Sequence, residues 1–313
     1  MIEKMVRLTQ DQLKEFLVNE MAKRGYNPII KDGFIYCKGS APILFVAHMD
    51  TVHREQVKFI CFSQCGNIVM SPQGIGGDDR AGIYMILEII KTHNVSVLFT
   101  EDEEIGGVGA DKFMGYCLER DYTPDVNFII QLDRRGDNDA VFYDCDNPEF
   151  TAFIESFGFV EAQGSFSDIS VIAPMLGIAA VNLSAGFFNE HSLHEYIDLE
   201  VCHLNIMRIN SMVGCTSEKF EYVEYEWVYE DEFISCASCD KDVLFSQTVA
   251  ISIFHEYVCY ECLSTINESD NEYATCVYCG QNEMLIDDVK LFNDAVCEVC
   301  WLEANGLADK TKI

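Results

Sequence analysis

Positive charge is scarce in this chain: 21 Lys and Arg stand against 52 Asp and Glu, a formal charge of −31 over 313 residues. That balance excludes the usual route to nucleic acid, in which clustered Lys and Arg displace counterions from phosphates. It also argues against anionic membrane surfaces. Long apolar runs are missing too, since no stretch approaches the roughly 20 residues that a membrane span needs. Met1 to Gln10 carry charges and lead into an amphipathic stretch, so no signal peptide is visible. The first 230 residues contain no low-complexity tract and no repeat.

What is present points to a globular chain. Hydrophobic residues make up 49%, which suits one domain of ordinary size plus something smaller and excludes a disordered composition. Cysteine is abundant, at fifteen, and eight of these fall into four C-x-x-C pairs near the C-terminus. A secreted disulfide protein would be shorter and rich in loops. The spacing reads as metal instead, which implies a reducing cytosol.

Residues 8–24 read as a helix capped by Thr9 with Gln12 as its capping-box partner, burying Leu13, Phe16, Leu17 and Met21. Strands are expected at Gly33–Cys37, Ile43–His48, Val57–Ser63 and Asn67–Met70. A glycine-rich turn, Gly74–Gly77, opens a helix over Asp79–Thr92. Further strands follow at Val95–Thr100, Asn127–Leu132, Ala140–Asp144 and Ile178–Leu183, with helices at 147–157, 167–175 and 198–214. This alternation predicts an α/β fold: a mostly parallel sheet sandwiched by helices. Sites in such sheets gather at the C-terminal ends of strands. His48, Thr100 and Asp133 fall there. Glu218–Glu232, with Phe220, Tyr222, Tyr225 and Trp227, reads as an edge strand or a linking segment. The composition then changes, which divides the chain into 1–230 and 231–313.

Taken singly, the polar motifs are weak. His48-Met49-Asp50 is an H-x-D triplet of a kind that occurs incidentally. Gly76–Gly82 could be an ordinary helix start with Asp favoured by the dipole. Glu101–Glu104 could be a solvated loop, Asp133 a cap, and His191 an exposed side chain. Together they change meaning, because carboxylates gathered near one another are costly unless cations compensate. Two divalent ions would offset the charges of Asp78, Glu104 and Asp133 and leave one positive charge, which suits a bound hydroxide. Imidazole and carboxylate are ligands expected of catalytic zinc.

Four segments, Ala47–Val52 (AHMDTV), Gly74–Gly82 (GIGGDDRAG), Phe99–Ala110 (FTEDEEIGGVGA) and His191–Tyr196 (HSLHEY), resemble the co-catalytic zinc exopeptidase superfamily. It includes aminopeptidases, tripeptidases, carboxypeptidases and aminoacylases. The matches keep the family's order over roughly residues 40–215. The resemblance implies that His48 and Asp133 hold one zinc, that Glu104 and His191 hold a second, and that Asp78 bridges both. It implies that Asp50 orients the His48 ring, that Glu103 takes the proton from the bridging water, and that the Asp78–Asp79 peptide is cis. One departure stands out. Many relatives insert a lid domain between the ligands matching Asp133 and His191, and here only 57 residues lie between them. Gly164–Ile169 (GSFSDI) matches a substrate loop, making Ser167 and Asp168 candidates. Arg134 and Arg135 could meet a substrate carboxylate or pair with surface carboxylates. His53 and His194 read chiefly as polar neighbours, and Cys61 and Cys65 as buried strand residues.

The tail pairs Cys236-x-x-Cys239 with Cys259-x-x-Cys262 and Cys276-x-x-Cys279 with Cys297-x-x-Cys300, across gaps of 19 and 17 residues. This repeat resembles zinc ribbons or treble clefs, each set of four thiolates closing one structural zinc. Iron or disulfides are the alternatives. Some 80 residues hold too little core to fold unaided, so metal would supply folding energy. With 14 Asp and Glu against 4 Lys in 233–313, the tail suits a protein contact or self-association rather than nucleic acid. The expectation is a cytosolic hydrolase that uses a metal-bridging hydroxide to cleave a peptide or acylamino bond in a small substrate. Two catalytic and two structural zinc ions are expected, cobalt or manganese being alternatives at the first pair. The contrasting expectation is a metal-bound scaffold without turnover, acting through its tail. Retention of Glu103 beside a full ligand set favours the enzyme.

Overall fold

A computed structural model describes residues 1–215 and 218–224, with short stretches beyond at 233–236, 241–244, 248–251, 256–259, 273–274 and 284–285. The strands of the first unit are β1 (Ile29–Lys31), β2 (Phe34–Cys37), β3 (Ala41–His48), β4 (Cys61–Phe62), β5 (Ile68–Met70), β6 (Val95–Thr100), β7 (Phe128–Arg134), β8 (Asp139–Val141), β9 (Val160–Glu161), β10 (Ala180–Ser184), β11 (Phe187–Phe188) and β12 (Tyr196–Asp198). Its helices are α1 (Ile2–Met5), α2 (Gln10–Lys23), α3 (Gly77–Ile89), α4 (Val108–Glu119), α5 (Pro148–Glu155), α6 (Asp168–Leu176) and α7 (Leu199–Val213).

Eight strands form one sheet in the order β1-β2-β6-β3-β7-β10-β8-β9. Its centre, β6-β3-β7-β10, is wholly parallel, while β1, β2 and β8 pair antiparallel toward the edges. Both faces of this centre are buried, and alternation along β3 shows how. Ile43, Phe45 and Ala47 enter one core with residues of α2, α3, α5 and α7, and Leu44 and Val46 enter the other with residues of α4 and α6. The fold is therefore α/β, with a mostly parallel sheet between helical layers. A smaller antiparallel sheet, β11-β12-β5-β4, stands beside it.

Local chemistry accounts for the boundaries. The Thr9 hydroxyl accepts from Gln12 N–H at 3.3 Å while Gln12 Oε1 accepts from Thr9 N–H at 3.1 Å, closing the capping box on α2. Helix α3 crosses β7 closely: a Cβ at Gly82 would lie 1.7 Å from the Leu132 carbonyl oxygen. Only glycine permits that approach, which brings the start of α3 beside the end of β7. Asp78 and Asp79 have non-helical backbone angles there, and the peptide between them is cis.

Several expectations need correction. Helix α4 went unpredicted. It starts at Gly107, which has φ 70° and no capping side chain, so the usual start signal is missing. The expected strand Val57–Ser63 is reduced to Cys61–Phe62. Gln73 Oε1 accepts from Lys58 and Phe59 N–H, and Arg7 donates to the Val57 and Lys58 carbonyls, so side chains replace the ladder. Cys61 and Cys65, expected buried, are exposed. Residues 218–224 form no strand, in keeping with the linking-segment alternative, and make two isolated bridges outside the strands, Ile178 with Glu221 and Cys145 with Glu224. Phe220 is buried there against Phe128, Phe150 and Phe153.

Contacts divide the chain into Met1–Tyr225 and Glu226–Ile313. In the second unit, Phe233–Ser235 pairs with Asp242–Leu244, and Thr248–Ile251 with Glu256–Cys259, both antiparallel. Cys236 is buried. Cys259 ends one of these strands. Cys239, Cys262, Cys276, Cys279, Cys297 and Cys300 lie outside the described residues. No helix among the described residues is long and apolar enough to cross a membrane.

Candidate metal centre

His48 ends β3, Asp133 lies near the end of β7, and Asp78 sits in the kink that opens α3. Glu103 and Glu104 follow β6 in the loop to α4, and His191 lies in the loop between β11 and β12. The structure brings four of these side chains, His48, Asp133, Glu104 and His191, together around Asp78. His48 Nε2 lies 2.9 Å from Asp78 Oδ1 and 3.3 Å from Asp133 Oδ1. His191 Nε2 lies 3.2 Å from Asp78 Oδ2 and 3.0 Å from Glu104 Oε2. Each oxygen of Asp78 thus faces its own pair of one imidazole and one carboxylate.

Asp50 organises this arrangement from beneath. Its Oδ1 lies 3.1 Å from His48 Nδ1 and accepts from Glu103 N–H at 3.1 Å, and its Oδ2 accepts from Glu104 N–H at 3.0 Å. One carboxylate therefore fixes the His48 ring and the backbone that carries Glu103 and Glu104. With Nδ1–H given to Asp50, the neutral ring turns the Nε2 lone pair toward two carboxylates. That arrangement is repulsive unless a proton or a cation lies between them.

The electrostatics say the same. Burial, with Asp78 beside it, pushes the Asp133 carboxyl well above the usual range, and the same two causes raise Glu104. Burial above all lifts Glu103 to about 7; His48 pulls it down while Asp168, Glu104 and Asp78 push it up. Burial opposes charge on Asp78 too, but hydrogen bonds from His191 and His48 hold its carboxyl well below normal. Burial lowers His48, and Asp133, Asp50 and Asp78 outweigh it, raising the imidazole well above its ordinary value. The protein alone leaves this cluster short of positive charge, and bound cations reverse that balance. Glu104 Oε1 is buried without any hydrogen-bond partner. The donor set, imidazole nitrogen and carboxylate oxygen, fits zinc and other divalent transition ions. Asp79 also comes within 4.8 Å of His48 and Asp133. Its oxygens, however, accept from Gly82 N–H at 2.9 Å and His48 N–H at 3.3 Å, which makes it a backbone clamp.

Several further residues escaped the sequence reading. Glu195, fully buried, accepts from Asp78 N–H at 2.9 Å through Oε1 and from Gly76 N–H at 3.1 Å through Oε2. His53 Nε2 lies 2.6 Å from the same Oε2. His53, taken as a neighbour without a role, is thus part of the clamp on the glycine turn. The buried Arg80 guanidinium donates to the carbonyls of Met49, Asp50 and Leu8. Gln131 Nε2 donates to Asp133 Oδ2 at 2.9 Å, and Asp133 N–H donates to Asn182 Oδ1 at 2.9 Å. The sequence signal for Glu195 was its place four residues after His191, but burial of a carboxylate leaves no trace in a sequence.

The remaining candidates separate. Asp168 is fully buried and accepts from Thr100 Oγ1 at 2.5 Å, which makes it an internal link between β6 and α6. Ser167 precedes it as the N-cap of α6. Arg134 pairs with Asp139 at 3.2 Å, and Arg135 pairs with Glu190. His194 is exposed. The centre opens into a cavity of about 150 Å³ bordered by Arg134, Tyr143, Phe166, Asn182 and Phe187. Tyr143 and His191, which border it, have φ of 53° and 58°, backbone strain of the kind that collects at functional sites.

The α/β sheet with its parallel centre is similar in fold to several solved peptidases. Aminopeptidase PepT from Bacillus cereus matches with a TM-score of 0.56 and 16% identity, covering 69% of this chain and 97% of that one. A tripeptidase from Staphylococcus aureus matches with a TM-score of 0.56 and 13% identity, covering 69% and 96%. The TET1 peptidase of Pyrococcus horikoshii, which can assemble into a tetrahedron or a large octahedral shell, matches with a TM-score of 0.51 and 15% identity, covering 67% and 97%. No protein-family model and no curated protein matches the chain.

Proposed function

We propose that this chain is a metal-dependent hydrolase that cleaves a peptide or acylamino bond in a small substrate. The observation that carries the reading is the double-sided Asp78, whose two oxygens face His48 with Asp133 and His191 with Glu104. His48, Asp78 and Asp133 would hold one divalent ion, and Asp78, Glu104 and His191 the other. Ions held there would supply Lewis acidity toward a carbonyl oxygen and an attacking water.

The chain's own groups do the rest. No described residue hydrogen-bonds the Glu103 carboxylate, which lines the cavity beside the ligands. It is the group available to take a proton from water and return it to the leaving amine. Asp50 holds the Glu103 backbone and the His48 ring in one frame, so base and ligand keep their spacing. Phe166 and Phe187 offer apolar contact beside the ligands for a substrate side chain. The tail cysteines would hold two structural ions, and domains 1–230 and 231–313 would have separate tasks, the second a protein contact or self-association.

The test is metal content and hydrolysis of an aminoacyl and peptide panel by wild type and Glu103→Gln. The variant should keep its metal and lose about 100- to 10,000-fold in rate, the usual worth of a general base. An inert wild type would instead support the scaffold reading, and an undiminished variant would remove Glu103 from its role.

A further inference from the structure

Addition of water to an amide places negative charge on the carbonyl oxygen, and a preorganised donor aimed at that oxygen is often worth more than any other single contact. Few groups around the cavity can serve. Arg134 and Arg135 are both engaged with carboxylates. His191 faces Asp78 and Glu104. Tyr143 is different.

Tyr143 follows β8 with φ 53°, a left-handed conformation that a non-glycine residue adopts at a cost. Its side chain borders the cavity together with Asp133 and Glu103. The direction of its hydroxyl proton follows from its neighbours. Asn182, in β10, is buried, and its Oδ1 accepts from the backbone N–H of Asp133 at 2.9 Å. A backbone N–H can only donate, so the oxygen must face Asp133 and the amide nitrogen must face Tyr143. That nitrogen donates to the Tyr143 hydroxyl at 3.1 Å. One lone pair of the hydroxyl is thereby occupied, and its proton is turned away from Asn182. Within the fold the Phe166 carbonyl accepts from it at 3.3 Å, long for a bond from a hydroxyl, and the Ser167 hydroxyl also lies beside it. Burial also pushes the phenol up to about 12, which keeps it a neutral donor near neutral pH.

We propose that Tyr143 is a catalytic residue whose hydroxyl, oriented by Asn182, donates a hydrogen bond to the scissile carbonyl oxygen as that oxygen gains charge. The inference rests on the hydrolase reading above and adds a group that the resemblance did not supply. It also ties Asp133 to the donor, since one Asn182 amide positions both.

The experiment uses the full chain loaded with zinc. Tyr143→Phe is compared with wild type on a peptide that wild type cleaves, and both are titrated with a phosphonate dipeptide analogue whose anionic oxygens imitate the tetrahedral state. The expected result is a fall in kcat of about 100-fold with KM nearly unchanged, and a comparable loss of phosphonate affinity. Zinc content should match wild type. A kcat within about threefold of wild type, or a loss confined to KM, overturns the assignment. Should the Phe variant fold poorly, 3,5-difluorotyrosine at position 143 retains the packing with a more acidic phenol. The alkaline limb of kcat should then move to lower pH, and an unmoved limb overturns the assignment. A wild type inert on every peptide defeats the hydrolase reading itself, whereas an active wild type with an unaffected Tyr143→Phe defeats only this inference.

Discussion

Replacing Glu195 by Gln tests how the Asp78 backbone is held. The carboxylate accepts two backbone N–H groups, from Asp78 at 2.9 Å and from Gly76 at 3.1 Å, and lies 2.6 Å from His53. A carboxamide has a single oxygen. Whichever way it turns, its amino group confronts a backbone N–H, and that buried donor loses its partner. Leaving such a group unsatisfied costs about 1–3 kcal/mol. A domain of this size shifts by about 2–4 °C per kcal/mol, so a loss near 2 kcal/mol lowers Tm by about 4–8 °C. The second consequence falls on metal. The turn that carries Asp78 relaxes, and outer groups that orient ligands are typically worth about 10- to 100-fold in metal affinity. The assay is a zinc titration against a competing chelator, paired with thermal melting of the metal-free protein. Zinc affinity within about twofold of wild type, alongside an unchanged melt, refutes the clamp. A lower melt with unchanged affinity refutes its link to Asp78.

Two further outcomes follow from the same geometry. Burial lifts the Asp168 carboxyl from its ordinary value to about 6. Its folded value lies above its unfolded one, so its contribution is fully present below about pH 4 and is lost as pH rises through 6, a change of about 3 kcal/mol at about 1.4 kcal/mol per unit. Asp168→Asn should therefore gain stability relative to wild type as pH rises from about 4 to about 7 in metal-free protein, as read by denaturant titration; parallel curves for the two proteins would contradict this. Truncation after residue 230 should reduce bound zinc by two equivalents, measured by elemental analysis, and an unchanged zinc-to-protein ratio would remove the metal from the tail.

Much of the first unit was legible because its signals are periodic. The unbroken apolar run Ile43–Ala47 and the glycine turn before Asp78 each reflect a local rule, and they deliver His48 to the end of a parallel strand and Asp78 to the start of α3. Helix α4 was not legible, although Ala110, Phe113, Met114 and Cys117 are buried at helical spacing. Its start depends on Gly107 and on the close approach of Gly109 to the Glu101 and Gly33 carbonyls, which only the folded chain reveals. Cys61 and Cys65 were misread because strand propensity says nothing about which face is covered. The network of Glu195, His53, Gln131 and Asn182 was invisible for a similar reason. Apart from the bond of Gln131 to Asp133, two positions on, Glu195, His53 and Asn182 act through partners 39 to 142 positions away, and no local pattern records such distances.

The central claim is that Asp78 stands between two metal ions. Anomalous diffraction at the zinc edge from crystals of the zinc-loaded protein tests it most directly. Around Asp78 the account predicts two peaks about 3.5–4 Å apart, separate from those of the tail, one on the His48 and Asp133 side of Asp78 and the other on the His191 and Glu104 side. A single peak around Asp78, or peaks that leave Asp78 outside the coordination of either ion, would contradict it.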